Sequence, residues 1–307
     1  MILCCGEALI DFLPRQLAAG AAVYQPFCGG SIYNTAIALG RLGVTAGYFG
    51  GLSTDFFGGM LKDGLKASRV SLEYAKVWDK PSTLAFVKLD RGHARYSFFD
   101  ENSAMRMLTK KHLPKLGKTV HALHLGSISL IAEPGAATLE ALMAREAGRQ
   151  VICLDPNIRP SVITDRRAYL ARMKRLIGMT DILKLSDEDI AWMTGKTDAG
   201  AAARKWLKAG VKVVAVTRGS KGIEAFTRRY TLALPAVKVK VSDTVGAGDT
   251  FTAGLLAALD KAKLLDKAAI ATIGAGDLKQ ALAFAARAAA VTVSRPGADP
   301  PWAHELA

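Results

Sequence analysis

The chain has no apolar run long enough to read as a membrane span. Residues 122–132 (ALHLGSISLIA) form one of its longer apolar stretches, far below the ~18 consecutive residues that suggest a spanning helix. The start, MILCCGEALIDF, lacks a basic n-region and places Glu7 and Asp11 inside the first apolar stretch, so it does not read as a secretory signal. By elimination, a soluble cytoplasmic protein is expected. Cysteine is scarce: Cys4, Cys5, Cys28 and Cys153 form no CxxC pair and fit no zinc spacing. Buried free thiols in a reducing compartment are the expectation, and Cys4 and Cys5 point to opposite faces if they share a strand.

Two nucleotide signatures are also missing. There is no G-x-x-x-x-G-K-[ST] loop, and no G-x-G-x-x-G after the first apolar segment. A dehydrogenase reading loses most of its support, and a nucleotide would have to be held in another way. The net charge is +14, yet no block of five or six basic residues occurs and no aromatics interleave with them. Solvated helix faces account for most of this charge, and nucleic acid is not an expected partner. The charge is weak support for a small anionic ligand.

What remains is a chain of 307 residues, half of them hydrophobic, enough to bury a large core. Residues 2–6 read as a buried strand. Residues 31–42 read as a helix, with Ser31 placed to cap its start and Gly43 to end it. A strand at 45–50 and a helix at 55–67 follow. Residues 71–100 differ in texture: TLAFVKLD and ARYSFFD, separated by Arg91-Gly92-His93, read as a hairpin. Phe98 and Phe99 there read as core aromatics. From residue 121, strands at 121–127, 151–155, 181–185 and 211–217 alternate with helices at 134–147, 164–177, 187–194 and 198–209. Strands and turns at 222–241 precede helices at about 248–260 and 266–291. That alternation predicts a parallel sheet flanked by helices.

The most informative stretch is Val239-Lys240-Val241-Ser242-Asp243-Thr244-Val245-Gly246-Ala247-Gly248-Asp249-Thr250-Phe251. A strand-like alternation runs into Gly-Ala-Gly-Asp, and a helical pattern follows. Small residues let several N–H groups converge at a helix N-terminus, which favours an anion. A carboxylate beside a phosphate would repel it unless it had a task, and taking the proton of an attacking hydroxyl is such a task. The tetrapeptide alone reads more readily as a helix start with an acidic first turn. The chain supplies its own control in Gly274-Ala275-Gly276-Asp277, which lacks the preceding Asp-Thr and reads as an inter-helix turn or helix start.

Asp243-Thr244-Val245-Gly246-Ala247-Gly248-Asp249 resembles the C-terminal D-T-x-G-A-G-D signature of the PfkB (ribokinase-like) carbohydrate kinases. Gly29-Gly30-Ser31-Ile32-Tyr33-Asn34 resembles their N-terminal G-G-x-x-x-N signature. Segments resembling the fructokinase branch are Gly6-Glu7-Ala8-Leu9-Ile10-Asp11, Gly126-Ser127-Ile128-Ser129-Leu130 and Asp155-Pro156-Asn157-Ile158-Arg159-Pro160. The resemblance covers nearly the whole chain. It implies one ribokinase-like domain over 1–307, an α/β fold with a three-layer α/β/α core. Its small β-sheet lid would come mainly from about 71–100, with 12–27 as a further candidate.

The resemblance also implies an ATP-dependent sugar kinase, with fructose the leading acceptor. By it, Asp249 is the catalytic base and Gly246, Ala247 and Gly248 form the anion hole. Asp11, Gly30 and Asn34 hold sugar hydroxyls, and Arg159 approaches the transferring phosphate or an acidic end of the substrate. Thr217, Gly219 and Gly222 line the ATP site. The family's N-x-x-E motif, linked to Mg2+, is represented by Ser186-Asp187-Glu188-Asp189. Asp189 is then the candidate magnesium residue and Glu188 its competitor. K+ is a further expected ion, with Asp243 near it, and a homodimer through the lid is expected. The acceptor stays open among fructose, 2-keto-3-deoxygluconate, ribose, tagatose and a nucleoside. A sugar-binding regulator without catalysis is a further class, which the presence of Asp249 disfavours.

Overall fold

The computed structural model describes residues 1–16, 20–90 and 93–306. Arg91 and Gly92 of the expected hairpin turn, and 17–19 of the second lid segment, lie outside the described residues. The chain opens with β1 (Ile2–Cys5), β2 (Leu9–Gln16), β3 (Ala22–Gly29), α1 (Ser31–Arg41), β4 (Ala46–Phe49), β5 (Gly51–Ser53), α2 (Phe56–Ala67), β6 (Lys76–Trp78), β7 (Thr83–Asp90) and β8 (His93–Phe99). It continues through β9 (Ala122–Gly126), α3 (Gly135–Glu146), β10 (Val151–Asp155), α4 (Arg166–Ile177), β11 (Ile182–Ser186), α5 (Asp187–Thr194), α6 (Ala199–Lys208) and β12 (Val213–Thr217). The last elements are β13 (Ile223–Phe226), β14 (Thr231–Leu234), α7 (Ala247–Lys261), α8 (Lys267–Ala271) and α9 (Ala275–Val293).

The large sheet has eight strands in the order β14-β13-β12-β11-β10-β9-β1-β4. From β12 to β4 all neighbours are parallel, while β13 and β14 add antiparallel pairs at one edge. The parallel strands ILCC, ALHLG and VICLD are buried throughout, as expected where helices cover both faces. Alternate residues feed two cores. Cys4 packs in the core with α1, α7 and α9, and Cys5 in the one with α3, α4 and α6. Cys4, Cys5 and Cys153 are buried free thiols, and Cys28 is partly buried. Among the described residues no helix is long and apolar enough to cross a membrane.

A separate four-stranded sheet, in the order β3-β2-β7-β8, stands beside this core. Residues 9–29 thus supply half of it. Residues 71–78 are not among its strands: β6 pairs with β5, and Ser71 bridges Gly47.

Two further expectations differ from the structure. Val239-Lys240-Val241 is not a strand; Val237, Val239 and Val241 are exposed. The alternation finds no buried face here, because the chain leaves the sheet after β14, and its end is tied to α9 by Ser242 N–H and Asp243 N–H donating to Val293 O. The helix expected over 266–291 is two. Asp266 caps α8 by accepting from Ala268 and Ala269 N–H, and Thr272, Ile273 and Gly274 break the run before α9. Gly274-Ala275-Gly276-Asp277 is the start of α9, with Asp277 exposed.

Candidate active site

The C-terminal ends of the parallel strands and the small sheet together enclose a cavity of about 650 Å³. This is where open parallel sheets gather ligands. Asp11, Gly30, Asn34, Arg159, Asp189, Thr217, Gly246, Gly248 and Asp249 all line it. Ala247 follows Gly246 as the first residue of α7. Gly219 and Gly222 are not in the lining. Gly222 has φ 91°, and a side chain there would run into Leu234 O, so its demand for glycine comes from the close passage of β14. Asp243 is also absent from the lining: its carboxylate accepts from Val245 N–H and Gly297 N–H, both at 3.0 Å, tying the loop before α7 to the chain beyond α9.

Asp249 sits in the first turn of α7 and is 7% exposed. Ser31 Oγ donates to its Oδ1 at 2.6 Å and Asn34 Nδ2 to its Oδ2 at 2.9 Å. Burial pushes the Asp249 carboxyl up, and those two donors, with Lys184, hold it back, while Asp155 pushes it further up. Ser31 therefore has a different local role from the one expected. Ser31 does not cap α1, whose N-cap is Gly30 without a side-chain bond; its hydroxyl goes to Asp249. Asn34 spends its amide N–H on the same carboxylate. Ser31→Ala is predicted to move the acid limb of activity up by about one to two pH units. A hydrogen bond to a charged group is worth ~1.5–3 kcal/mol and one pKa unit ~1.36 kcal/mol. An unshifted limb in a pH–rate profile would contradict that role.

The helix that carries Asp249 begins at Gly246 with φ 75°, and no side chain caps it among the described residues. The N–H groups of its first turn have no helical partner, so the start of α7 offers donors and a positive dipole end to an anion. A side chain at Gly248 would meet Lys184 Nζ, which lies 2.9 Å from the Cβ position. Lys184 is 4% exposed, bonds Asp155 Oδ2 at 2.8 Å and also lines the cavity. The sequence marks Ser31 only as a helix cap and does not mark Lys184 as a site residue. A lone lysine between the apolar residues of ILKLS was the available signal.

Asp11 comes from β2, and burial raises its carboxyl to about 6, against the attraction of Arg159 and with the repulsion of Asp249. A side chain at Gly29 would collide with the Asp11 carboxylate, so a bare backbone there is needed to seat it. Arg159 is steadied by Asn157, whose Oδ1 accepts from Nη1 at 2.7 Å. Glu7 is buried at the inner wall, its carboxyl raised by burial and partly relieved by Ser129, which donates at 2.6 Å. Thr217 Oγ1 donates to Leu185 O at 3.3 Å. Phe98 lines the cavity and Phe99 is 60% exposed; neither is a core aromatic, because the small sheet has no second layer over all of this strand.

No group of three His, Cys, Asp or Glu residues fit to hold a metal ion occurs among the described residues. Asp189 uses Oδ1 to accept from Ile158 N–H and Oδ2 to accept from Ser186, as the capping box of α5. Glu188 is exposed at the cavity. This donor set suits an ion carried mainly by a ligand's phosphates and waters, as magnesium is, rather than a protein cage.

The model of the pfkB family of carbohydrate kinases matches residues 1–305. A fructokinase of Rhizobium leguminosarum bv. trifolii is 49% identical over 273 residues, covering 89% of this chain and 84% of that protein. The crystal structure of a fructokinase with bound ATP from Xylella fastidiosa superposes with a TM-score of 0.90 at 27% identity, over 99% of this chain and 96% of that one. A fructokinase from Vibrio cholerae O395, in a fructose-, ADP- and calcium-bound form, gives 0.83 at 25% identity, over 97% and 94%.

Proposed function

The chain belongs to the pfkB family of carbohydrate kinases, and from that premise we propose that it transfers the γ-phosphate of ATP to a hydroxyl of fructose. The observation that carries the reading is Asp249, a buried carboxylate oriented by Ser31 and Asn34 at the open start of α7. The fructokinase relatives support fructose as the acceptor, and those crystallised with ATP or ADP support the nucleotide.

The sugar lies between Asp11 and Asp249, under the small sheet, which acts as the lid and keeps water from the transferring group. Asp11, Gly30 and the amide oxygen of Asn34 hold sugar hydroxyls. Asp249 accepts the proton of the attacking hydroxyl as its oxygen bonds to the γ-phosphorus. The bond to the β,γ-bridging oxygen breaks, and ADP leaves with the electron pair. The N–H groups at Gly246, Ala247 and Gly248 meet the charge that spreads over the phosphoryl oxygens. Arg159 faces the acceptor and the same charge. Thr217 and the turn with Gly219 and Gly222 border the nucleotide. Mg2+ on the ATP phosphates would neutralise part of their charge, with Glu188 or Asp189 reaching its waters. K+ at the loop of Asp243, and a cytoplasmic location, complete the proposal.

The test is ADP release from ATP and magnesium over fructose, ribose, tagatose, 2-keto-3-deoxygluconate and a nucleoside. Fructose is expected to give the highest kcat/KM. Turnover confined to the acidic keto-sugar would replace the acceptor, and no sugar-stimulated release would sink the reading. Asp11 accepts hydroxyl hydrogens best when ionised. KM for fructose is therefore expected to rise as the pH falls below about 6, and Asp11→Asn to give a high KM that is flat in that range.

The face of the lid opposite Asp11 carries Phe12 stacked on Phe86 at 4.6 Å and edge-on to Phe57 of α2, with Tyr24 and Phe99 edge-on to Phe86. Tyr24 is 48% and Phe99 60% exposed, more aromatic surface than a lone sheet face usually shows to water. A second copy of the chain covers this face in our reading. Light scattering should give twice the chain mass, and half that for Phe99→Glu; a monomeric parent protein would contradict it.

A further inference from the structure

We propose that Lys184 is a further catalytic residue, its ammonium closing the Gly246–Gly248 cradle from the sheet side and bonding the phosphoryl group in transfer. This rests on the phosphotransfer reading above and adds to it the cation that the cradle alone lacks. Lys184 stands in β11, in the interior of the parallel sheet, and is 4% exposed, yet it lines the cavity. Its Nζ lies 2.9 Å from the Cβ position of Gly248, so the charge is set directly against the cradle's backbone.

The ammonium has three donors. Among the described residues, Asp155 Oδ2, at 2.8 Å, is its one hydrogen-bond acceptor, which leaves donors for a phosphoryl oxygen. Asp155 is itself fixed. Thr252 Oγ1 of α7 lies 3.3 Å from the same oxygen, and Asn157 N–H donates to Oδ1 at 3.2 Å. Burial alone would drive the proton off Lys184, but Asp155, Asp189 and Asp249 together carry its pKa above the ordinary value. The group therefore stays charged at working pH.

A structural explanation of the pair is weak. Burying two charges costs several kcal/mol per ion, and an apolar pair of the same shape is often as stable. A cation fixed where phosphoryl charge develops has a task that an apolar residue cannot fill, and it needs no reorganisation during transfer. The attacking hydroxyl's proton still goes to Asp249, and Lys184 keeps its own protons throughout.

The test compares Lys184→Met with the charge-balanced pair Lys184→Met/Asp155→Asn. The single change leaves a buried carboxylate unpaired and can unfold the chain; the double change restores neutrality in nearly the same volume. The expected result is that the double variant keeps its circular-dichroism spectrum and thermal transition, and that its kcat stays down by about 10²–10³-fold, the scale of losing one transition-state donor. Near-normal turnover in the double variant would show Lys184 to be a counter-ion for Asp155 only, and would overturn the proposal. A second readout does not need turnover. A non-hydrolysable ATP analogue should lose about tenfold in affinity relative to ADP in the double variant, the size of one charge-assisted bond to the γ-phosphate. An unchanged ratio would also overturn it. If the parent protein phosphorylates no sugar, the functional reading fails, and the affinity ratio still decides whether Lys184 meets a γ-phosphate.

Discussion

Asp249→Asn should lower kcat by about 10²–10⁴-fold, the usual span of general-base assistance, while the fold and nucleotide binding persist. The amide has nearly the shape of the carboxylate, so the packing at the start of α7 is kept. Ser31 Oγ can still bond the retained oxygen, as it bonds Oδ1 now at 2.6 Å. Asn34 donates to Oδ2 at 2.9 Å and would have to turn its own oxygen toward the new NH2. What disappears is the proton acceptor. The loss should therefore appear in kcat at saturating sugar and ATP, with ADP affinity and the thermal midpoint close to the parent's. Turnover near the parent's level would remove Asp249 from the role of base.

Gly246→Ala is expected to cost about 10²-fold or more in kcat through the cradle rather than through the base. Gly246 has φ 75°, and an added Cβ would lie 2.7 Å from Ala298 Cβ and 3.1 Å from its Cα. A left-handed residue with a side chain costs ~1–2 kcal/mol, and the contact with Ala298 adds to this. The neighbour cannot easily yield, because Asp243 ties Val245 to Gly297 from below. The loop must shift, and its N–H groups lose their aim; one lost donor of this kind costs ~10²–10³-fold. The chain contains the control. Gly276, the counterpart of Gly248 in the second Gly-Ala-Gly-Asp, has nothing within 4 Å of its Cβ position. Gly276→Ala, inside α9, should leave kcat unchanged and stabilise by ~0.5–1 kcal/mol. Steady-state kinetics and thermal melts of both variants check this; equal kinetic losses would contradict it.

The parallel core was legible because its strands are apolar on both faces, and because each run stops near a glycine or polar residue at the ligand end. ILCC before Gly6, VICLD ending in Asp155 and ILKLS ending in Ser186 all follow that rule. The paired signatures located the site because Gly-Gly and Gly-Ala-Gly-Asp each open a helix, and α1 and α7 pack together with both starts facing the cavity. Less legible was what depends on a partner far along the chain. Ser31 looks like an N-cap from its neighbours, but its hydroxyl answers Asp249, 218 positions away. Lys184 looks like a solvated strand residue, yet it is buried against Asp155. Val237, Val239 and Val241 alternate as a strand does, but beyond β14 they have no layer to pack against.

Direct transfer from ATP to the sugar is tested by following the label from [γ-32P]ATP in a single turnover with excess protein, fructose and magnesium. The label is expected on fructose, with inversion at phosphorus when a chiral γ-thiophosphate replaces it, as one in-line transfer to a hydroxyl deprotonated by Asp249 requires. Label found only in inorganic phosphate, or retention through a phosphorylated protein, would contradict it.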